Sequence, residues 1–139
     1  MDIVTDIEKS LRQIDYIVRK KGREILKDNY LTAPQFIALQ RIISKGDLTI
    51  GELSTEMSLA CSTITDLIDR MEKNQLVTRF KDENDRRVVR IRVEEKGNKV
   101  VEDVLNRRKD YISKVLESFN KEEKELLAQN LMKLYEVMK

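Results

Sequence analysis

The sequence predicts a mainly α protein with one small β hairpin, and two observations carry that prediction. Along most of the chain apolar residues recur three and four apart, the period of a helix face, but just after Asn74 the period falls to two and stays there to Val93. Charged residues make up 37% and aromatic residues 5% of the 139 positions, a composition suited to long helices with solvated faces.

Residues 2 to about 27 place Ile3, Ile7, Leu11, Ile14 and Val18 on one stripe, giving a long amphipathic helix whose apolar face is too long for a small core to cover alone. Thr32-Ala33-Pro34-Gln35 reads as a helix start, with Thr32 as N-cap, Gln35 at the capping-box position and Pro34 tolerated in the first turn. The helix it opens, to about residue 44, is expected to bury Phe36, Leu39, Ile42 and Ile43. A short strand is expected around Asp47-Leu48, and Thr49-Ile50-Gly51-Glu52 forms a second capping box.

Residues 51–58 then carry Leu53 and Met57 on one face, and residues 62–73 carry Ile64, Leu67, Ile68 and Met71. The connection Leu59-Ala60 is so short that the two helices must cross steeply. A helix-turn-helix is the leading reading, although helices joined this way also occur in proteins that bind no nucleic acid. Two strands, 76–80 and 88–93, flank the turn Asp82-Glu83-Asn84-Asp85, with Val89, Ile91 and Val93 expected inward and Arg90 and Arg92 outward. A helix pair followed by a hairpin is the order of a winged helix-turn-helix. Two more amphipathic helices follow, 96 to about 119 with Val100, Val104, Tyr111, Val115 and Phe119, and 122–138 with Leu127, Leu131, Leu134 and Met138, broken at Asn120-Lys121.

A net charge of +2 gives no whole-chain argument for nucleic acid, so the local distribution matters more. Between Val77 and Val93, Arg79, Lys81, Arg86, Arg87, Arg90 and Arg92 face only Asp82, Glu83 and Asp85. The hairpin is therefore basic while the remainder roughly cancels. One cysteine and no histidine exclude an intrachain disulfide framework, a Cys/His zinc site and a Ser-His or Cys-His nucleophile pair. The four glycines are scattered, so no phosphate-cradling loop is present, and neither an enzyme nor a metal or other cofactor is expected. The chain shows no secretory leader and no long uncharged apolar run, which predicts a cytoplasmic protein with no membrane partner.

The run from Leu53 to Val77, the hairpin signature Asp85-Arg86-Arg87-Val88-Val89-Arg90, and the flanking Leu31-Thr32-Ala33-Pro34-Gln35-Phe36 and Glu95-Lys96-Gly97 resemble the multiple-antibiotic-resistance-regulator (MarR) family of bacterial transcription factors. The resemblance implies one domain over 1–139: a winged-helix DNA-binding part at 30–94 and a helical dimerisation part at 1–29 and 95–139. It implies a homodimeric regulator of double-stranded DNA, more often a repressor, acting on a pseudo-palindromic operator and in many members released by a small aromatic or phenolic effector. Periodicity alone leaves the terminal stripes divided between intramolecular core and dimer interface. A winged-helix module that binds protein instead of DNA is the alternative of another class.

On this resemblance the second helix of the pair is the recognition helix. Ser62, Thr63, Thr65, Asp66 and Arg70 lie on its outer side, where short hydroxyls and an arginine suit bases or phosphates. Asp66 either pairs with Arg70 at i, i+4 or accepts a hydrogen bond from a cytosine amino group, the first being favoured. Arg87 matches the wing tip and is expected to enter the minor groove, with Asp85 orienting the turn, while Lys81, Arg86 and Arg90 are expected at phosphates. Three positions depart from the family pattern: Ala60 replaces a serine N-cap, Gln75 a turn glycine and Glu94 a threonine cap. Ala60 implies a weaker start for the recognition helix or a cap shifted to Ser62. Cys61, at the start of that helix, is either a small side chain filling the turn or a thiol placed for redox regulation.

Overall fold

The computed structural model describes residues 2–139. Among them lie six α-helices and three strands: α1 (Ile3–Asp28), α2 (Ala33–Lys45), β1 (Leu48–Thr49), α3 (Ile50–Met57), α4 (Cys61–Lys73), β2 (Val77–Lys81), β3 (Val89–Val93), α5 (Glu95–Val115) and α6 (Lys121–Met138), with a 3-10 turn at Leu116–Ser118. The chain divides between Leu105 and Asn106 into two compact units.

The core of the first unit forms where helix period and strand period meet. Ile25 of α1, Leu39 and Ile42 of α2, Leu53 of α3, Ile64, Ile68 and Met71 of α4, Val77 and Ile91 of the sheet and Val104 of α5 are all buried. Both capping boxes form as the sequence predicts. Thr32 Oγ1 accepts the Gln35 amide at 3.3 Å while Gln35 Oε1 accepts the Thr32 amide at 3.0 Å, and Thr49 and Glu52 exchange the same bonds at 3.0 and 3.1 Å. Gln35 is thus a buried polar side chain whose oxygen is satisfied locally.

Among the described residues only α2 ends on glycine, Gly46, and three other turns put a non-glycine residue, Tyr30, Ser58 or Gln75, at positive φ. After α4 the Leu76 amide donates to the Met71 carbonyl at 2.9 Å and the Gln75 amide to that of Glu72 at 3.0 Å, the paired bonds of a Schellman stop, with Gln75 at φ 64°. Gln75→Gly should therefore raise stability by about 0.5–1 kcal/mol, the cost of holding a side chain in the left-handed region less the extra freedom of glycine when unfolded. Chemical denaturation reads this directly; a loss of stability would mean that the Gln75 side chain contributes a contact larger than its strain.

The three strands form an antiparallel sheet in the order β1-β3-β2, with Leu48 opposite Ile91 and, across the hairpin, Val77 opposite Val93, Arg79 opposite Ile91 and Lys81 opposite Val89. The expected third strand is present. Three details differ from the sequence reading. The loop between β2 and β3 is longer than the four-residue turn expected, spanning residues 82–88. Val89 is 40% exposed, because the buried stretch of the sheet ends at Ile91 and the Lys81–Val89 step lies beyond it. Ile43 is 46% exposed, since the buried stripe of α2 is centred on Gln35, Ala38, Leu39 and Ile42 and Ile43 falls off its edge.

Most of the α1 stripe is uncovered, with Ile3, Ile7, Leu11, Ile14, Ile17 and Val18 exposed and only Ile25 in the core. In the second unit α6 starts at Lys121, one residue before the predicted helix start, on a capping box between Asn120 and Glu123. Leu127 and Leu134 are half-buried there, while Leu131, Tyr135 and Met138 are exposed. No helix among the described residues is long and apolar enough to cross a membrane.

Candidate nucleic-acid interface

Helix α4 is held by one face and offers the other. Ile64, Ile68 and Met71 are fully buried, while Ser62, Thr63, Thr65, Asp66 and Arg70 are all exposed on the opposite side. The helix starts at Cys61 on an extended Ala60 with no side-chain cap, so the capping role does not pass to Ser62. Its first-turn amides therefore face outward without a side-chain acceptor at the cap. Thr65 donates its hydroxyl to the Cys61 carbonyl at 2.9 Å and keeps its lone pairs for an incoming donor. Cys61 is an exposed free thiol.

The favoured Asp66–Arg70 pair is not formed among the described residues, which corrects the sequence reading. An exposed i, i+4 pair gains only about 0.3–0.5 kcal/mol, about what fixing two side chains costs, so the spacing permits the pair without requiring it: Asp15 and Arg19, spaced the same way on α1, are paired at 2.8 Å.

The wing tip is built by two aspartates. Asp82 Oδ1 accepts the amides of Asn84 and Asp85 at 2.8 and 3.1 Å, and the loop closes with Asp82 N–H donating to the Val88 carbonyl and Val88 N–H to that of Asp85, both at 2.9 Å. The Asp85 carboxylate then grips Arg87, taking its amide at 3.1 Å, its Nε at 3.0 Å and its Nη2 at 3.1 Å. Arg87 nevertheless projects outward, its side chain 91% exposed. Hydrogen bonds from Arg90 and Arg87 respectively hold the Asp82 and Asp85 carboxyls below the usual carboxylate range. Lys81 and Arg86 are exposed and in no ion pair among the described residues.

The other three wing arginines are engaged within the protein. Arg79 stands opposite Ile91, on the inner face of the sheet, so it points at α4 and not at solvent. There its Nη2 lies 2.6 Å from Asp69 Oδ1 and its Nη1 2.8 Å from Glu72 Oε1, while its amide donates to Glu72 Oε2 at 3.0 Å. Arg92 donates from Nη2 to Asp47 at 2.9 Å and stacks 4.2 Å from the Phe80 ring centre. Arg90, expected at a phosphate, donates from Nε to Asp82 Oδ2 at 2.6 Å and from Nη1 to the Asp47 carbonyl at 3.2 Å and Glu52 Oε1 at 3.3 Å. Counting charge along the hairpin overlooked Asp47, Glu52, Asp69 and Glu72, which the fold brings to it. Lys81 and Arg86 are left without a carboxylate partner among the described residues, Arg87 projects outward on Asp85, and Arg92, though paired with Asp47, keeps its side chain 57% exposed.

Residues 31–89 match the model of the MarR family. The HTH-type transcriptional regulator YsmB of Bacillus subtilis is 52% identical over all of this chain and 95% of its own length. The HTH-type transcriptional repressor MdtR of the same organism is 28% identical over 87% of this chain and 78% of that protein. Among solved structures, a MarR family protein from Bacillus stearothermophilus is 48% identical and superposes with a TM-score of 0.87, covering 99% of this chain and 98% of that one.

Proposed function

Because this chain belongs to the MarR family, a family of transcriptional regulators, we propose that it is a homodimeric repressor that reads a pseudo-palindromic operator in double-stranded DNA. The observation that carries the reading is the joint exposure, on one unit, of the hydroxyl-bearing face of α4 and an outward Arg87 at the wing tip. Ser62, Thr63, Thr65, Asp66 and Arg70 take the major groove, with the uncapped start of α4 towards a phosphate. Arg87 enters the minor groove, and Lys81 and Arg86 meet phosphates. With no ion pair to Arg70, Asp66 is left to accept from a cytosine amino group.

The uncovered stripes of α1 and α6 supply the dimer interface, since so many exposed large apolar side chains on one chain are the mark of a surface that is covered in use. Two heads then read half-sites about 10 base pairs apart. A small aromatic or phenolic ligand that favours one spacing of the heads over another would release the operator. Selecting bound duplexes from a random pool tests the core of this reading: a two-fold symmetric consensus supports it. Affinity that does not fall with added salt would favour a protein-binding module instead. Sedimentation as a monomer at micromolar concentration would remove the dimer.

A further inference from the structure

We propose that Asp82 and Arg90 are positioning residues that set the pose of Arg87 without touching DNA themselves, an inference that rests on the DNA-binding reading. An arginine on a wing strand one residue from Ile91 alternates outward, and outward arginines on a wing suggest phosphate contacts. The structure gives Arg90 a different task. Its side chain lies back along the sheet, bonded through Nη1 to the Asp47 carbonyl and to Glu52, and through Nε to Asp82. Glu52 is itself fixed, because the same Oε1 accepts the Thr49 amide that starts α3.

Asp82 is used on both oxygens. Oδ2 takes Arg90 and Oδ1 takes the amides of Asn84 and Asp85, which leaves the side chain only 16% exposed in an otherwise exposed loop. Asp85, oriented by that turn, holds Arg87 at three points. A continuous series of bonds thus runs from the start of α3 through Arg90, Asp82 and Asp85 to the guanidinium at the tip. None of residues 82–87 has its own side chain in the buried core. Without this series the loop would sample many poses, and binding would have to order it.

A positioning role predicts a sign that simple charge does not. A carboxylate near DNA repels phosphate, so neutralising Asp82 should on charge alone tighten binding. If Asp82 positions the wing, Asp82→Asn weakens it. The test uses the full chain with Asp82→Asn and Arg90→Gln, each alone and combined with Arg87→Ala. Binding to the duplex recovered from the random pool is followed by fluorescence anisotropy across a potassium chloride series. Amide exchange of Asn84 and Asp85 is measured in the free proteins.

Each single variant should bind about three- to tenfold more weakly, the scale of ordering one long side chain on binding. The dependence of log affinity on log salt should keep its wild-type slope, and neither change should cost anything further when Arg87 is already alanine. Exchange of the two amides should quicken about fivefold or more. Tighter binding by Asp82→Asn, or a salt slope lowered by about one in Arg90→Gln, the mark of a lost phosphate contact, overturns the inference. Unchanged exchange overturns it whether or not DNA binds. A wild-type chain that binds no duplex overturns the reading of function, and exchange in the free protein still decides whether Asp82 and Arg90 hold the wing.

Discussion

Gly97→Ala is expected to lower stability by about 3 kcal/mol, at the upper end of what one added methyl costs in a packed site. Gly97 lies in the first turn of α5, buried against the junction between α4 and β2. A Cβ there would sit 2.8 Å from Val93 Cγ1 and 3.3 Å from Leu39 Cδ2, and closest of all to the Leu76 carbonyl oxygen. That oxygen cannot easily retreat, because it accepts the Glu94 amide at 2.9 Å; the same junction is held by Lys96 Nζ donating to the Asn74 carbonyl at 2.9 Å. Helix propensity pulls the other way, since alanine is better than glycine inside a helix by about 0.5–1 kcal/mol. Gly22, in α1, isolates that second effect: an added methyl would meet nothing within 4 Å, and Gly22→Ala should gain the propensity alone. Urea titrations with equal slopes make the comparison. A Gly97→Ala midpoint equal to or above that of the wild type would falsify the close-packing argument.

Features set within one turn of chain were legible in the sequence, and those set by distant partners were not. The two predicted capping boxes are defined by residues three apart, and the buried faces of α3 and α4 by residues three and four apart, so local pattern was enough to read them; the third box, Asn120 with Glu123, has the same spacing but was legible only as a break between helices. The third strand was legible from its place just before the second box. By contrast, the partners of Arg79 lie seven and ten residues away on a helix, and those of Arg90 lie up to 43 residues away. No spacing rule reaches that far. A signal for Arg79 did exist: it has the same strand parity as Val77, which faces the core, so it had to point at α4. Gly97 gave no local sign of its packing, since a glycine early in a helix reads as a weak helix former until its neighbours are known. Asp66 and Arg70 show the opposite failure: the spacing permits a pair, which forms at Asp15 and Arg19 and not here, so spacing alone does not decide it.

The recognition face was legible because it is what remains once Ile64, Ile68 and Met71 are assigned to the core. The wing was legible only as a basic hairpin. Reading it residue by residue needed the fold, which turns Arg79 and Arg90 back onto the protein, pairs Arg92 with Asp47 and leaves Arg87 projecting on its aspartate.

Arg87→Ala should weaken operator binding about ten- to a hundredfold at physiological salt and lower the slope of log affinity against log salt by about one. The expectation is larger than for its neighbour because of geometry, not charge. Arg86 is also exposed and carries the same charge, but no carboxylate fixes it, so it must be ordered when it binds and its loss should be smaller and uniform across sequences. Arg87 reaches out already oriented by Asp85, and the electronegative floor of a narrow minor groove favours a guanidinium held in that way. Arg87→Lys separates the two contributions. Lysine keeps the charge and should restore the salt slope, but it cannot take the forked grip of the Asp85 carboxylate, so most of the affinity should stay lost. Equal affinities for wild type and Arg87→Ala at physiological salt would sink the assignment. Recovery of full affinity with lysine would show that Arg87 acts as a point charge and that its hold by Asp85 contributes nothing to binding.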